Sequence, residues 1–475
     1  MATTRSTIPV GVLALGALSL PAQQAPAPAN PSPVKALLVS GANNHEWQWT
    51  SKEIRSILQE SGRFEVDLTE EPAKALADAK ALAAYQVIVL DYNGPRWGEP
   101  AEQNFLAAVR GGTGVVVVHA ANNAFDGWVE YETLVGLCWR QGTGHGAYHP
   151  FDVKVVDPTH PVTRGMEDFH LHPDELYHKL VHMHGAKFHV VMDAFSDPKT
   201  GGTGNREPMA TVSEFGKGRV FHTPLGHTWT NVPQSRATWK DPQLRLLVQR
   251  GTEWAATGSV TLPSRPTNWL DAAERKDGFE LLFNGRDFDG WEGYRMEGPP
   301  AQGWSVTGGA IVHAAGGGGG DLVTERSFGD FDFRFEWRIA PKGNSGVMFW
   351  VREDGGEQTY LSGPEYQVLD DEGAKPGPKH AAGALYDLYP AKAGKPVRPA
   401  GQWNEGRIVV QKGKLQHWLN GTLVVEGPVA GPEWDAMVAK SKFRDWPFGK
   451  VKEGQIALQD HGDEVAYRSL RIRRL

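Results

Sequence analysis

A single cysteine, Cys138, stands in 475 residues, so no disulfide can form within the chain. Charge of one sign is nowhere concentrated. Lys+Arg number 49 against Asp+Glu 56, a net charge of −7 without a long run. That argues against nucleic acid or an anionic membrane surface as the main partner. No GxGxxG dinucleotide fingerprint and no HExxH zinc motif is written in the chain, so bound nicotinamide and a zincin site are not indicated. The glycine run "AAGGGGGD" at 314–321 lacks the following helix and the Lys-Ser/Thr of a phosphate loop. The apolar stretch "IPVGVLALGALSL" at 8–20 is short for a bilayer span.

That stretch, with Arg5 before it and "LPA" ending at Ala22, reads instead as an export signal over 1–22. One arginine does not make a twin-arginine signal, and no cysteine follows to take a lipid. "QQAPAPANPSP" at 23–33 is a Pro-rich, extended tether. A periplasmic or secreted bacterial protein is expected, with no membrane span once the signal is removed. Gly 56 and Pro 32 imply many turns. Trp 17 is high and leaves two readings open, buried packing or stacking on sugar rings.

The length suits two or three domains. "VKALLVSG", "FEVDLTEE", "YQVIVLDYNG" and "TGVVVVHAANN" are strand-like and alternate with helical patterns. In the first of these, "TSKEIRSILQESG", Thr50 and Glu53 have capping-box spacing and Ile54, Ile57 and Leu58 form an apolar stripe. "GRVFHTPLGH" and the helix "DPQLRLLVQRGTEWAA" close the unit. This alternation predicts an α/β domain over 34–257, a parallel sheet with flanking helices. A linker follows at 258–276. Beyond it helical pattern nearly vanishes, "PEWDAMVAKSKF" excepted. "FDFRFEWRIA" alternates with period two, and "LQHWLNGTLVV" carries an Asn-Gly hairpin. An all-β two-sheet sandwich is predicted over 277–475.

Thirteen of the 17 histidines lie between His45 and His227. Several fall at the carboxyl ends of strands, where an open parallel sheet binds ligands. His45, His119, His145, Asp174, Glu175 and His227 are the candidate pocket, with Tyr177 and His149 close in sequence. A polar pocket with or without a divalent metal, and a set of hydrogen-bonded structural histidines, both remain open.

"GANNHEWQWT", "GVVVVHAANNAFDGWVEYETLVG", "HPFDVKVVDPTHPVTRGMEDFHLHPDELY" and "VFHTPLGHTW" resemble the trehalose-utilisation (ThuA-like) family over 34–257. The resemblance implies a class I glutamine-amidotransferase-like fold and a sugar-binding or sugar-transforming role. His119 occupies the turn where an amidotransferase has its nucleophilic cysteine, and Cys138 lies elsewhere, so amidotransferase activity is not expected. "DGFELLFNGRDFDGW", "NSGVMFWV", "GPEYQVLDD", "GALYDLYP", "SKFRDWPFGK" and "GQIALQDHGDEVAYRSLRIRRL" resemble the 3-keto-disaccharide hydrolase family over 277–475. That implies a concanavalin-like jelly roll acting on 3-keto-glycosides, with the ketone supplied by a separate oxidoreductase.

Read as a strand, "EYQVL" sets Glu365, Gln367 and Leu369 on one face and Tyr366 and Val368 on the other. Asn344 and Ser345 begin another strand, and Gln459, Asp460 and His461 end one. His417, Trp418 and Asp370 complete the candidate substrate-binding set, with Trp350 and Trp403 as further stacking platforms. An ordinary glycosidase needs two carboxyls. A 3-ketone acidifies the neighbouring hydrogen, so elimination needs one base, a holder for the enolate oxygen and an acid. His461 is the first candidate for acid/base work, since its ordinary pKa lies near neutrality. Asp460 or Glu365 is the alternative base. Asp370, Glu365 and His461 could hold a divalent ion. Lys440 and Lys442 read as surface charges, with an enolate-holding role as the alternative. The rival reading of Asp460-His461-Gly462 is a turn tied by its own carboxylate. Other readings are a non-catalytic carbohydrate-binding sandwich, a scaffold, and hydrolysis of unoxidised glycans.

Overall fold

The computed structural model of the protein describes residues 32–475. The expected export signal and all but the last two residues of the Pro-rich tether lie outside the described residues.

The α/β half is built on a nine-stranded sheet. Edge to edge, its strands are Phe64–Thr69, Val34–Val39, Val87–Leu90, Gly114–Val118, Gly218–Thr223, Arg206–Phe215, Phe188–Phe195, His149–Val155 and Phe169–Asp174. The first five pair in parallel and the remaining pairings are antiparallel. The parallel expectation therefore holds for one side of the sheet only. Gly216 and Lys217 join two strands directly, and so short a link permits only an antiparallel pair. Alternate residues of the parallel strands feed two cores. Val34, Ala36 and Leu38 pack with Ile54, Ile57 and Leu58 of helix Trp47–Glu60 and with Leu244 and Leu247 of helix Pro242–Thr257. Leu37, Val39, Val115 and Val117 pack with Phe105 and Val109 of helix Ala101–Gly111. Continuous Val/Ile/Leu strands buried on both faces are what this sandwiching requires.

The predicted Thr50–Glu53 capping box does not form. The helix begins three residues earlier, at Trp47, and the Thr50 hydroxyl donates to Asp91 Oδ2 at 2.8 Å. A buried carboxylate at a neighbouring strand end outcompeted the local cap.

The connecting segment is anchored at both ends. Arg250 donates to the carbonyls of Leu262 and Pro263, while Asn268 exchanges hydrogen bonds with Ser469 and donates to the Gly309 carbonyl. The rest of the chain forms an eight-stranded and a five-stranded sheet enclosing one apolar core. In Phe331–Ile339 the residues Phe331, Phe333, Phe335, Trp337 and Ile339 are buried and Arg334, Glu336 and Arg338 are half-buried, as the period of two predicted. The buried exception, Asp332, is paired with Arg407 and Arg473. The five-stranded sheet runs Trp291–Gly293, Leu322–Thr324, Gln455–Leu458, Asn344–Val351, Glu365–Leu369. Tyr366 and Val368 face the shared core. The opposite face is overlaid by the segment that follows helix Pro432–Ala439, and the cleft described next lies between them.

Candidate functional site

Strand Glu365–Leu369 directs Glu365 and Gln367 into a cavity of about 200 Å³. Asn344, Gln459 and His461 enter it from neighbouring strand ends, and Tyr360, Tyr386, Lys442 and Trp446 from the covering loops. Glu365 is buried, and burial pushes its carboxyl up to about 8, although Lys442 pulls the other way and Asp321 adds to the rise. Its carboxylate lies over Gly346 so closely that a Cβ there would overlap Glu365 Oε1. The Lys442 ammonium stands 4.3 Å above the Tyr386 ring.

The amides form a relay. Gln367 Nε2 donates to Asn344 Oδ1 at 2.6 Å, which turns the Asn344 Nδ2 toward His461 Nε2 at 3.0 Å. His461 therefore accepts at Nε2, and in its neutral form carries its proton at Nδ1. Two buried acceptors in the cavity wall, Gln367 Oε1 and Gln459 Oε1, have no hydrogen-bond partner. Unpaired buried acceptors are costly, and both suit the hydroxyl groups of a polar ligand. The cleft thus combines one carboxyl that exchanges its proton near neutrality, an ammonium, an imidazole and free amide acceptors.

Four expected members of this site lie elsewhere, and a fifth is turned away. The Asp460 carboxylate binds His313 Nε2 at 3.1 Å and the backbone N–H groups of Gly320 and Gly462. It ties its own turn and the glycine-rich loop and is not among the residues lining the cavity. Ser345 is buried beneath the sheet, donating to the Gln459 carbonyl. Asp370 accepts from Lys342 N–H at 2.7 Å and shapes a turn. His417 is fully buried against Tyr366 in the eight-stranded sheet, and burial depresses its pKa to about 3. Trp418 points to that sheet's other face, beneath Arg407. Trp350 is buried in the core and Trp403 lies under Arg338 and Arg468, so neither lines the cleft. Asp370, Glu365 and His461 accordingly do not form a metal site. Sequence reasoning missed Tyr360, Tyr386 and Trp446 and ranked Lys442 as a surface charge. The motifs "GALYDLYP" and "SKFRDWPFGK", in which Tyr386, Lys442 and Trp446 stand, were the available signal.

In the α/β half the expected pocket assembles. His119 directly follows strand Gly114–Val118 with φ 45°, a left-handed backbone that is uncommon for a non-glycine residue. Its Nδ1 donates to the Pro224 carbonyl at 2.6 Å. His45 Nδ1 lies 3.1 Å from Asn43 Oδ1, and Asn43 in turn donates to Asp91. His227 Nδ1 is 3.2 Å from His119 Nε2 and 3.2 Å from Glu175 Oε2. His145 also reaches Glu175 Oε2, at 3.2 Å. Burial lowers His45 to about 4 and His227 to about 3, and holds His119 well below its usual range. All three are neutral imidazoles at physiological pH.

Asp174 has a different task. It accepts from the N–H groups of Glu175, Gly226 and His227 and from the Thr238 hydroxyl, and so fixes the backbone beneath the cluster. Burial opposes its charge, but His172 keeps it ionised below its usual pKa. His149 turns away to the Ala147 carbonyl. Cys138 is buried and its thiol is pushed up to about 12 by that burial, which removes it as a nucleophile. A larger groove of about 630 Å³ near Lys240 and Trp269 brings no comparable set together; its Asp241 is engaged by His172 and the N-terminus of helix Pro242–Thr257.

The architecture is thus a mixed α/β half carrying a histidine cluster, joined to an all-β half carrying an acid–amide cleft. A model of the 3-keto-alpha-glucoside-1,2-lyase-like domain matches residues 278–473, and one of the trehalose-utilisation (ThuA) domain matches residues 35–255. A 3-keto-disaccharide hydrolase of Bacteroides thetaiotaomicron is 33% identical over 257 residues, covering 47% of this chain and 88% of that protein. Two crystal structures are also similar. One, provisionally called a glycosyl hydrolase, from Parabacteroides distasonis, is 30% identical and covers 44% of this chain and 99% of its own, with TM-score 0.41. The other, provisionally called ThuA-like, from Parabacteroides merdae, is 32% identical and covers 49% and 92%, with TM-score 0.45. The chain belongs to the 3-keto-disaccharide hydrolase family and carries a ThuA domain in front of that unit.

Proposed function

We propose that the all-β half cleaves 3-keto-glycosides by base-initiated elimination followed by hydration. One observation carries the reading: a single buried carboxyl, Glu365, shares a polar cavity with Lys442 and His461 and has no second acid as partner among the cavity-lining residues. That is too little for an oxocarbenium mechanism with two carboxyls and enough for a substrate whose ketone makes the adjacent C–H acidic.

Ionised Glu365 takes the proton from carbon 2, and the C–H electrons become the carbon 2–carbon 3 enolate. Lys442 holds the enolate oxygen. Collapse of the enolate restores the ketone, forms a carbon 1–carbon 2 double bond and breaks the carbon 1–oxygen bond. His461 gives its Nδ1 proton to the departing oxygen. Water then adds across the double bond: its oxygen joins carbon 1 as its proton passes to His461, and Glu365 returns its proton to carbon 2. Gln367 and Gln459 accept hydrogen bonds from ring hydroxyls.

The name of the Bacteroides relative supports the same substrate class. The ketone is installed by a separate oxidoreductase, since the sequence has no dinucleotide fingerprint of its own. The ThuA domain binds or transforms the same class of sugar. The proposed folds are a concanavalin-like jelly roll, supported by two antiparallel sheets around one core, and a class I glutamine-amidotransferase-like unit, supported by five parallel strands flanked by helices. Export to the periplasm or medium is proposed on the N-terminal pattern; sequencing the mature N-terminus should find residue 23, and recovery of the chain in the cytoplasmic fraction with Met1 retained would contradict it. Among the described residues no helix is long and apolar enough to cross a membrane.

The test is turnover of a 3-keto-glucoside against its unoxidised parent. Release of the aglycone from the keto form only, lost in Glu365→Gln, is expected. Release from the parent would overturn the mechanism, and tight binding of either without release would make the sandwich a binding module.

A further inference from the structure

We propose that His45, His119 and His227 bind one divalent transition-metal ion of the zinc class in the α/β half, leaving a coordination position open beside Glu175. One ring nitrogen of each histidine lies within 4.8 Å of those of the other two. Tetrahedral coordination with metal–nitrogen bonds of about 2.1 Å places ligand nitrogens roughly 3.4 Å apart, which a small closing of this cluster reaches. The three rings fan out around a common point, with centroids 4.7, 4.7 and 5.2 Å apart and planes at 75°, 87° and 84°.

Hydrogen bonding leaves one buried nitrogen of the cluster, His227 Nε2, unaccounted for. His119 Nδ1 and His45 Nδ1 give their protons outward to Pro224 and Asn43, so the Nε2 of each is an acceptor; that of His119 faces the Tyr177 hydroxyl at 2.9 Å, which an ion would displace. This outward carbonyl or amide contact is what orients and fixes the tautomer of metal-bound histidines. Asn43 is itself held by Asp91, which extends the support by one more shell. His227 Nε2 is buried and has no partner at all. His227 Nδ1 faces both His119 Nε2 and Glu175 Oε2 at 3.2 Å; once an ion takes His119 Nε2, the Nδ1 proton goes to Glu175 and Nε2 is left for the ion. Around the cluster, Glu175 is buried while His145 and Trp229 are partly exposed, so the open position is reached past those two side chains. Three protein ligands with an exchangeable fourth position are the pattern of catalytic rather than structural zinc, and Glu175 is the carboxylate that would accept a proton from a bound water or hydroxyl. No order of histidines along the chain announces this site, because its ligands come from three separate strand ends.

The experiment uses the full-length, tag-free protein, treated with chelator and dialysed. Zinc is titrated calorimetrically, and cobalt(II) is followed by its visible absorption. One equivalent of either ion is expected, with a four-coordinate cobalt spectrum that shifts on adding azide. His45→Ala, at the edge of the cluster, should weaken zinc binding by at least about 100-fold while keeping a wild-type far-UV spectrum. His227→Gln gives a second variant, and His149→Ala, outside the cluster, should bind as the wild type does. Absence of saturable one-equivalent binding in the wild type, or undiminished binding in a folded His45→Ala protein, would overturn the proposal. Failure of keto-glycoside turnover has no bearing on this result, since the two sites lie in different halves.

Discussion

At the scale of single residues, Glu365 is the position on which function and stability oppose each other. Its carboxyl is raised from an ordinary 4.5 to about 8, first by burial. Between those values the folded chain holds a proton that the unfolded chain has released, so folding stability falls as pH rises from about 4.5 to 8. Glu365→Gln removes that loss. The variant should melt above the wild type at pH 8 and beyond, by an amount on the order of a few kcal/mol, with the difference vanishing near pH 4; thermal denaturation across pH measures it. The same change should cost about 100-fold or more in turnover. Because the base must be ionised, kcat/KM of the wild type should climb with pH through about 8 and level off above it. Parity along "EYQVL" was enough to foresee that Glu365 and Gln367 face one way. The turn that Asp460 ties with its own carboxylate was one of the readings the sequence offered; its partners His313 and Gly320 were not readable, since they are distant in sequence and only the closed sandwich brings them to it.

At the scale of elements, the Glu365 carboxylate has its seat because strand Asn344–Val351 offers no side chain at Gly346, opposite Gln367. Gly346→Ala would drive a methyl into the Glu365 carboxylate. It should lower kcat by roughly 10-fold or more, consistent with displaced catalytic geometry, while far-UV circular dichroism stays unchanged; unaltered kcat would show that the carboxylate's seat on Gly346 does not matter. Strands were the legible elements here. The alternation in Phe331–Ile339 and the Val-rich run before His119 both follow from which faces are buried. The covering segment was less legible. Helix Pro432–Ala439 has a recognisable pattern, but Lys442 and Trp446 follow it in irregular chain, where no period tells which side chain turns inward. The antiparallel side of the large sheet escaped for a related reason: its strands are half-exposed and polar, as in Phe169–Asp174, unlike the continuous apolar runs of the parallel side.

At the scale of the whole molecule, two chemistries are joined in one chain: a carboxyl–ammonium–imidazole cleft in the all-β half and a histidine cluster at the strand ends of the α/β half. The division into halves was readable from the change in grammar after the 250s, and the histidine positions from the rule that open sheets bind ligands at strand carboxyl ends. What distinguished a site from scattered polar residues was distance, which depends on the packed sheets. The central claim is that an existing ketone lets one buried carboxylate start the bond cleavage. Its most direct measurement is solvent-deuterium incorporation at carbon 2 of a 3-keto-glucoside held with the protein in deuterium oxide. The account predicts exchange that depends on Glu365 and precedes or accompanies release of the aglycone. Release with carbon 2 fully protonated, or exchange undiminished in Glu365→Gln, would contradict it.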